Sequence, residues 1–510
     1  MKTESLSFRY LSKLLTNGIG LLIGFGSQSL IARGLGPAQY GNFSFLTNIF
    51  SKVLTFLQMG TLLGFYTKLS QRQREYQLLS FYALFLLIIT SVAFAIYWLF
   101  QILNIQNQLF PGNKSTTIFF ALIFSIFVMY FNVIDKIADA LGLTIKKEMI
   151  KVLQKIIGVI ILYFLFKNHQ LTLRNFFLYN YLITLLPILL IMIILYKYFI
   201  KNKSKWRLNK NRINIYIKEF YNYSNPLFTY AVIVFLTTVF DRWMLQKFGG
   251  SVEQGFFGFS FKIVTLAFIF TSAMSQLLMR EFSIAYKNKN IKKMKKLFVN
   301  NIPLLYSITA VISCFIIINA DSVTLILGGN DFKSASSSLL IMGLYPIHQT
   351  YGQLSGSIFY ATGQTKLYRN IGITGALIGM LITYFLVAPH NYYGMDFGAV
   401  GLSIKFVLYQ IIITNVQLVY NSRLLNIKFR EYLIHQFVIV LLLLSCGLIS
   451  KFLLVSFINL SLNPLLDILI IGVVYIAIVL SFIYFKPTLF GLNKSNIKSL
   501  KELLKIITNK

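Results

Sequence analysis

The chain has 510 residues, of which 56% are hydrophobic and 12% are charged, and its mean hydropathy is +0.68. A globular surface of this composition would be insoluble, which excludes a water-soluble domain and indicates an integral membrane protein. The formal net charge of +33 is spread over short loops without an RNA-binding or helix-turn-helix pattern, so no nucleic-acid partner is expected.

Apolar runs that are long enough to cross a bilayer as helices recur along the whole chain. A spanning helix needs about 20 apolar residues, and the runs lack the strict alternation of barrel strands. The sequence therefore predicts an all-α protein with about 14 transmembrane helices. The runs begin near residues 14, 42, 77, 115, 150, 175, 221, 254, 297, 334, 370, 397, 432 and 464.

Basic residues alternate between the loops. Of the 48 Lys and Arg residues, 35 lie in every second gap between the apolar runs. Because short cytoplasmic loops carry the excess of Lys and Arg, this pattern predicts a multi-pass protein of the bacterial cytoplasmic (inner) membrane. Both termini are expected on the cytoplasmic side.

The chain repeats itself at offsets of 214 to 221 residues. RGLGPAQYGNFSF at 33–45 aligns with KFGGSVEQGFFGF at 247–259, and ALGLT at 140–144 aligns with ATGQT at 361–365. Each offset spans six crossings, an even number, so both copies insert with the same orientation, as in parallel repeats. We expect two pseudo-symmetric six-helix bundles that face each other across a cleft, plus two extra C-terminal helices. The glycines that pair are Gly36 with Gly250, Gly112 with Gly329, and Gly142 with Gly363.

These patterns set the expected domain boundaries. The N-terminal six-helix lobe is placed at 1–200, a cytoplasmic interlobe linker at 201–219 and the C-terminal lobe at 220–425. The two additional helices then occupy 426–486, followed by a basic amphipathic tail at 487–510. Whether this tail lies in the plane of the membrane or is a solvated, frayed segment is left open.

Polar residues at membrane depth mark candidate functional positions, because a central charge costs about 2.5–3.5 kcal/mol on insertion scales. The second run carries Asn48 and Lys52 on one helical face, and the equivalent eighth run carries Lys262 and Gln276. Both lysines would point into a cleft between the bundles. Helix-helix contacts, with each lysine paired to carbonyls or an acid, are the structural alternative.

The tenth and twelfth runs add four polar residues to the predicted cavity: His348, Gln349, Gln353 and Lys405. Ammonium groups hold phosphate oxygens, and amides exchange hydrogen bonds with sugar hydroxyls. Such a lining favours a phosphorylated, hydroxyl-rich anion. A histidine that is only hydrogen-bonded within a helix bundle is the alternative at position 348.

Four further charges are candidates for gating or ion coupling: Asp135, Asp139, Asp241 and Arg242. Asp135 and Asp139 lie near the cytoplasmic end of the fourth run, where a snorkelling interfacial cluster is equally compatible with the pattern. The adjacent Asp241 and Arg242 favour a gate or an ion pair between the lobes. A coupling ion, H⁺ or Na⁺, is left open.

Signatures of enzymes are missing from the sequence. It contains no HExxH, Walker or GxSxG motif and only 15 acidic residues, so we predict no catalytic residue, metal site or cofactor. The protein is expected to be a transporter rather than an enzyme.

Three segments carry a family resemblance. SLIARGLGPAQYGNFSF at 29–45 resembles the opening signature of the polysaccharide transport family, within the multidrug, oligosaccharidyl-lipid and polysaccharide exporter (MOP) superfamily. Asp241-Arg242 followed by 248–259 is similar to the second-half version of that signature. ILGGNDFKSA at 326–335 resembles the loop before the tenth helix of the family.

The resemblance implies two six-helix bundles around a V-shaped central, cationic cavity. It implies a flippase that moves an undecaprenyl-diphosphate-linked oligosaccharide, an O-antigen or capsular repeat unit, across the membrane by alternating access. Membrane lipids and the polysaccharide polymerase or chain-length machinery are the expected partners. The chain departs from the family in having no charge at 14–32, so the second and eighth helices would hold the diphosphate. The alternatives are a cation-coupled multidrug exporter and a membrane-embedded polysaccharide polymerase.

Overall fold

The computed structural model describes residues 6–72, 75–199, 209–457 and 463–492. All regular secondary structure in these ranges is helical. Residues 201–208 of the predicted linker and most of the predicted tail, 493–510, lie outside the described residues.

Contacts group the chain into two compact units, and the first consists of 1–258 together with 387–398. Its core is rich in aromatic rings, with Phe65 and Tyr82 stacked at a centroid distance of 4.0 Å. Its helices are α1 (Leu6–Leu57), α2 (Thr61–Gln71), α3 (Tyr76–Ile102), α4 (Gln106–Leu109), α5 (Ser115–Ala140), α6 (Thr144–Lys167), α7 (Leu173–Phe199), α8 (Lys210–Met244) and the start of α9 (Gly250–Val264).

The second unit consists of 259–386 and 399–510. Buried side chains of α10, α11, α14, α16, α17 and α18 build its core. Besides the end of α9, its helices are α10 (Ile269–Lys287), α11 (Ile291–Ile318), α12 (Ala320–Gly328), α13 (Ala335–Met342), α14 (Leu344–Ala361), α15 (Thr365–Val387), α16 (Gly398–Leu425), α17 (Phe429–Phe457) and α18 (Pro464–Phe485).

The predicted class, an all-α protein with many membrane-spanning helices, is confirmed. Within the described ranges, ten helices are long and apolar enough to span a membrane, and a bent pair raises the number to eleven. The number is below fourteen because some predicted runs are counted together. The runs near 14 and 42 are two helices that meet at a kink at Gly36 and are both included in α1, and the 41-residue stretch Phe228–Phe268 counts once. The run near 334 is instead divided between the short α13 and α14.

The paired glycines support the predicted duplication. Gly36 has φ 67° and ψ 171°, and Gly250 has φ 73° and ψ −171°. Only glycine commonly adopts this region, so the two copies kink their helices at matching positions. The other two pairs also agree, with φ values of 72° and 72° for Gly112 and Gly329, and 79° and 72° for Gly142 and Gly363. The lobe boundaries inferred from the sequence stay a prediction.

Candidate functional site

The two copies of the glycine-rich motif pack against each other within the first unit. Gly41 of α1 lies against the backbone of Ser251 and Gly255 of α9, and Gly255 in turn lies against the backbone of Pro37. A side chain at either glycine would collide with main-chain atoms. The missing side chains therefore let α1 and α9 approach closely, as small residues do in membrane helix packing.

Polar side chains form hydrogen bonds beside this crossing of α1 and α9. The Ser251 hydroxyl donates to Asn42 Oδ1 at 2.5 Å, and Gln246 Nε2 donates to the carbonyl of Pro111 at 3.0 Å. Gln246 Nε2 also lies 3.1 Å from the Ser251 hydroxyl. The pattern of apolar runs did not predict a role for Asn42, Gln246 or Ser251. Their nearness to the repeated glycines was the signal that could have found them.

Arg242 is buried beside this crossing, with 6% of its surface exposed. Its guanidinium donates to Gln254 Oε1 at 3.0 Å and lies 4.4 Å from the centre of the Phe257 ring. The neighbouring carboxylate of Asp241 is also buried and interacts electrostatically with the guanidinium. A π-helical turn, Leu245–Gly249, follows directly and widens the helix; such turns recur at functional sites.

Lys52 adds a second positive charge to this region. It is partly buried on α1, and its ammonium interacts repulsively with Arg242. Among the described residues no ion pair involves Lys52. One helical turn away, Asn48 Oδ1 is buried without a hydrogen-bond partner within the described ranges. Lys52 and Arg242 thus bring two cations within electrostatic range of each other. We call Asn48, Lys52, Asp241 and Arg242 the cationic site.

The other predicted lysines belong to the second unit. Lys262 is exposed near the end of α9, just before a short 3₁₀ turn, Thr265–Phe268. Lys405 is buried, and its ammonium lies 4.7 Å from the centre of the Phe406 ring and 5.6 Å from that of Tyr409. Gln276 lies on α10, but its side chain is outside the described residues.

The three polar residues predicted on α14 do not share one environment. His348 is buried in the core of the second unit, with its ring centroid 6.1 Å from that of Tyr306. Gln349 is partly buried, and Gln353 is exposed. Adjacent helical positions diverge by about 100°, whereas i and i+4 share a face. His348 therefore points away from the face that carries Gln349 and Gln353.

Asp135 and Asp139 form a buried ion-pair cluster with the next helix of the first unit. The ammonium of Lys147, which has 2% of its side chain exposed, lies 2.7 Å from Asp135 Oδ2 and 2.7 Å from Asp139 Oδ2. Lys151 contacts Asp135 Oδ1 at 2.5 Å, and the Thr144 hydroxyl donates to Asp139 at 2.8 Å. These ion pairs and the hydrogen bond hold α5 and α6 together. The pairing of Lys147 with these two carboxylates was not predicted from the sequence.

Comparisons with solved structures identify the fold. The chain aligns with the lipid II flippase MurJ in an inward closed conformation at 15% identity and a TM-score of 0.66, covering 94% of this chain and 99% of that one. An inward-facing MATE multidrug resistance transporter of the MOP superfamily aligns at 14% identity and a TM-score of 0.60, covering 82% of this chain and 98% of that one.

A third similar structure is a MOP superfamily transporter from Pyrococcus furiosus, described by the reverse polarity of its binding pocket. It aligns at 15% identity and a TM-score of 0.55, over 82% of this chain and 94% of that one. No protein-family model matches the sequence, and a search of curated proteins found no significant match. The chain therefore has the fold that these MATE and MurJ transporters of the MOP superfamily share.

Proposed function

We propose that the protein is a MOP-type flippase of the cytoplasmic membrane. Its substrate would be an undecaprenyl-diphosphate-linked oligosaccharide, such as an O-antigen or capsular repeat unit, moved to the outer leaflet by alternating access. The observation that carries this proposal is the cationic site, where Lys52 lies within electrostatic range of Arg242 and has no ion pair among the described residues. An anionic diphosphate would supply a counter-charge for Lys52.

The lipid-linked substrate accords with one of the structural neighbours. MurJ is described as a flippase of lipid II, and among the three neighbours compared above it has the highest TM-score and the fullest coverage of this chain. Lys262 and Lys405 add cations on the second unit. On this unit, the two lysines are proposed to bind phosphate, and the amides of Gln349 and Gln353 are proposed to bind sugar hydroxyls.

A multidrug exporter is the alternative, because MATE transporters share the fold. A cationic drug would need a carboxylate without a cationic partner. Asp135 and Asp139 are ion-paired to lysines, and Asp241 interacts with Arg242. A cationic cargo, or a coupling H⁺ or Na⁺, would therefore have to displace a basic side chain at each of these positions. The cationic site favours an anionic cargo.

The test is a translocation assay in proteoliposomes with a fluorescent undecaprenyl-diphosphate disaccharide. The fraction that a membrane-impermeant quencher reaches is followed over time. Loss of one charge-assisted hydrogen bond costs about 1.5–3 kcal/mol, so Lys52→Gln should translocate at a rate about 10- to 100-fold lower. Lys167→Gln, which removes an exposed lysine at the end of α6, is the matched control.

Equal rates for wild type and Lys52→Gln would reject the role of the cationic site. Absence of translocation by the wild-type protein, together with export of a fluorescent cationic dye from the same vesicles, would favour the multidrug alternative. The polysaccharide polymerase and chain-length machinery stay proposed partners. Co-purification of this protein with them from membranes would test that part.

A further inference from the structure

An apolar cavity of about 540 Å³ opens in the first unit, away from the cationic site. Its walls come from the α1-α2 bend, α3 and the N-terminal half of α8. The lining includes five large apolar residues: Met59, Phe81, Phe85, Ile217 and Phe228.

The bend between α1 and α2 forms one wall of this cavity. The two helices meet at 57°, and Met59 and Gly60 have positive φ values of 49° and 71°. Thr61 contributes a polar group to the lining, but its hydroxyl is occupied, since it donates to the Gln58 carbonyl at 2.7 Å and lies 3.2 Å from the Tyr82 hydroxyl. The Thr61 hydroxyl therefore needs no water partner, and the mostly apolar lining suits a hydrocarbon chain.

A charged rim lies next to the cavity, on the side that the basic loops predict to be cytoplasmic. Glu219 of α8 accepts contacts from Lys68 at 2.8 Å and from Arg72 at 3.1 Å. Glu75 lies 3.3 Å from Arg72 and 3.7 Å from Arg212. Among the described residues, three cations thus meet two carboxylates, so these five side chains carry one excess positive charge.

Rim and cavity are built on the same stretch of helix. Tyr216 donates its hydroxyl to Glu75 at 2.7 Å, while its ring centroid lies 5.2 Å from that of Phe81 in the cavity wall. Phe220 lies one turn further along α8 and also lines the cavity. Its ring is stacked on that of Phe81, with a centroid distance of 5.8 Å. A molecule could therefore place an anionic group at the rim and a chain in the cavity at once.

The open side of the cavity exposes apolar side chains. Ile217, Tyr221 and Phe228 are 54%, 62% and 40% exposed. From Ile217 to Phe228 the helix rises about 16 Å at 1.5 Å per residue, which leads from the charged rim to the start of the apolar span at Phe228. Exposed apolar groups at this level are compatible with lipid and costly in water.

We infer that this cavity is a binding site for an anionic phospholipid of the inner leaflet. One acyl chain occupies the cavity, and the phosphodiester, which carries a single negative charge, binds at the rim beside Arg72 and Arg212. Charge complementarity selects this occupant, because the described side chains of the rim carry one more positive than negative charge. The site is separate from the cationic site and does not depend on the proposed transport activity.

The test is native mass spectrometry of the delipidated full-length protein with added phosphatidylglycerol, phosphatidylcholine or undecaprenyl phosphate. Phosphatidylglycerol should bind with one molecule per protein and in preference to phosphatidylcholine. Ile217→Trp, which fills the cavity, should weaken binding at least about tenfold. Ile215→Trp, at an exposed isoleucine outside the cavity lining, should leave binding unchanged. Asn225→Trp is a second filling variant at an exposed lining position.

The rim is tested by Arg212→Gln, with Arg280→Gln at an exposed position of the second unit as control. Loss of one basic residue near an anionic headgroup should weaken phosphatidylglycerol binding about fivefold. Equal retention of the two phospholipids, or unchanged binding to both cavity-filling variants, would overturn the inference. Retention of undecaprenyl phosphate alone would overturn it as well, and would assign the cavity to a polyprenyl chain.

Discussion

Gly255→Ala tests the close crossing of α1 and α9 that supports the cationic site. An added Cβ would lie 2.9 Å from the carbonyl carbon of Pro37, whereas carbon atoms pack best at about 3.5–4.0 Å. The two backbones would have to separate by at least about 0.6 Å. Because main-chain atoms rather than a flexible side chain stand in the way, the helices themselves must shift.

Overpacking of this kind costs typically about 1–3 kcal/mol. For soluble domains of 150–250 residues, 1 kcal/mol corresponds to about 2–4 °C in Tm, so Gly255→Ala should lower the Tm by roughly 2–12 °C. The assay is thermal unfolding of the detergent-solubilised protein, followed by intrinsic fluorescence and by size-exclusion chromatography after heating.

The matched control is Gly26→Ala on α1, where an added Cβ meets nothing within 4 Å. Alanine is favoured over glycine in a helix by about 0.8–1.0 kcal/mol, so this variant should be neutral or slightly more stable. A Tm for Gly255→Ala equal to that of Gly26→Ala would refute the close backbone approach.

Two further predictions concern charges of the first unit. Lys147→Met should destabilise the protein by about 3–5 kcal/mol, because it leaves Asp135 and Asp139 without their shared cation. The control Lys146→Met, at an exposed position, should change the free energy of unfolding by no more than about 0.5 kcal/mol. Equal unfolding midpoints of the two variants would contradict the stabilising role of these ion pairs. Burial alone would raise the pKa of Glu219, but hydrogen bonds and charges from its two basic partners outweigh burial and lower the pKa below its ordinary value of 4.5. A lowered folded-state pKa gives stability that is present above pH 4.5 and is lost as the pH falls through the folded value. The advantage of wild type over Glu219→Gln should therefore be constant near neutral pH and disappear under acid, and an advantage that grows as the pH falls would disprove the assignment.

The helical spans and the duplication could be predicted because their signals are local. A run of about 20 apolar residues can satisfy its backbone in a bilayer only as a helix. Glycine at matching offsets predicts matching backbone conformations, as the φ values of Gly36 and Gly250 show. The absence of a loop between the first two runs could not be predicted in the same way, because the two helices within α1 meet directly at a kink at Gly36.

The partners of the polar residues were harder to predict, since they come from distant segments. Gln254 reaches Arg242 only because a π-helical turn and a kink at Gly250 redirect the chain between them. The pairing of Asp139 with Lys147 had a readable signal, because a short turn at Gly142 brings the two helix ends together. No sequence signal indicated the apolar cavity, because its lining residues look like ordinary membrane-facing positions in each run.

The most direct test of the cationic site is equilibrium binding of undecaprenyl diphosphate and of uncharged undecaprenol to purified wild type and Lys52→Gln. Wild type should prefer the diphosphate, and Lys52→Gln should lose about 10- to 100-fold of that preference while binding undecaprenol as before. Equal affinity of wild type for the two lipids, or an undiminished preference in Lys52→Gln, would contradict a site built to hold an anion.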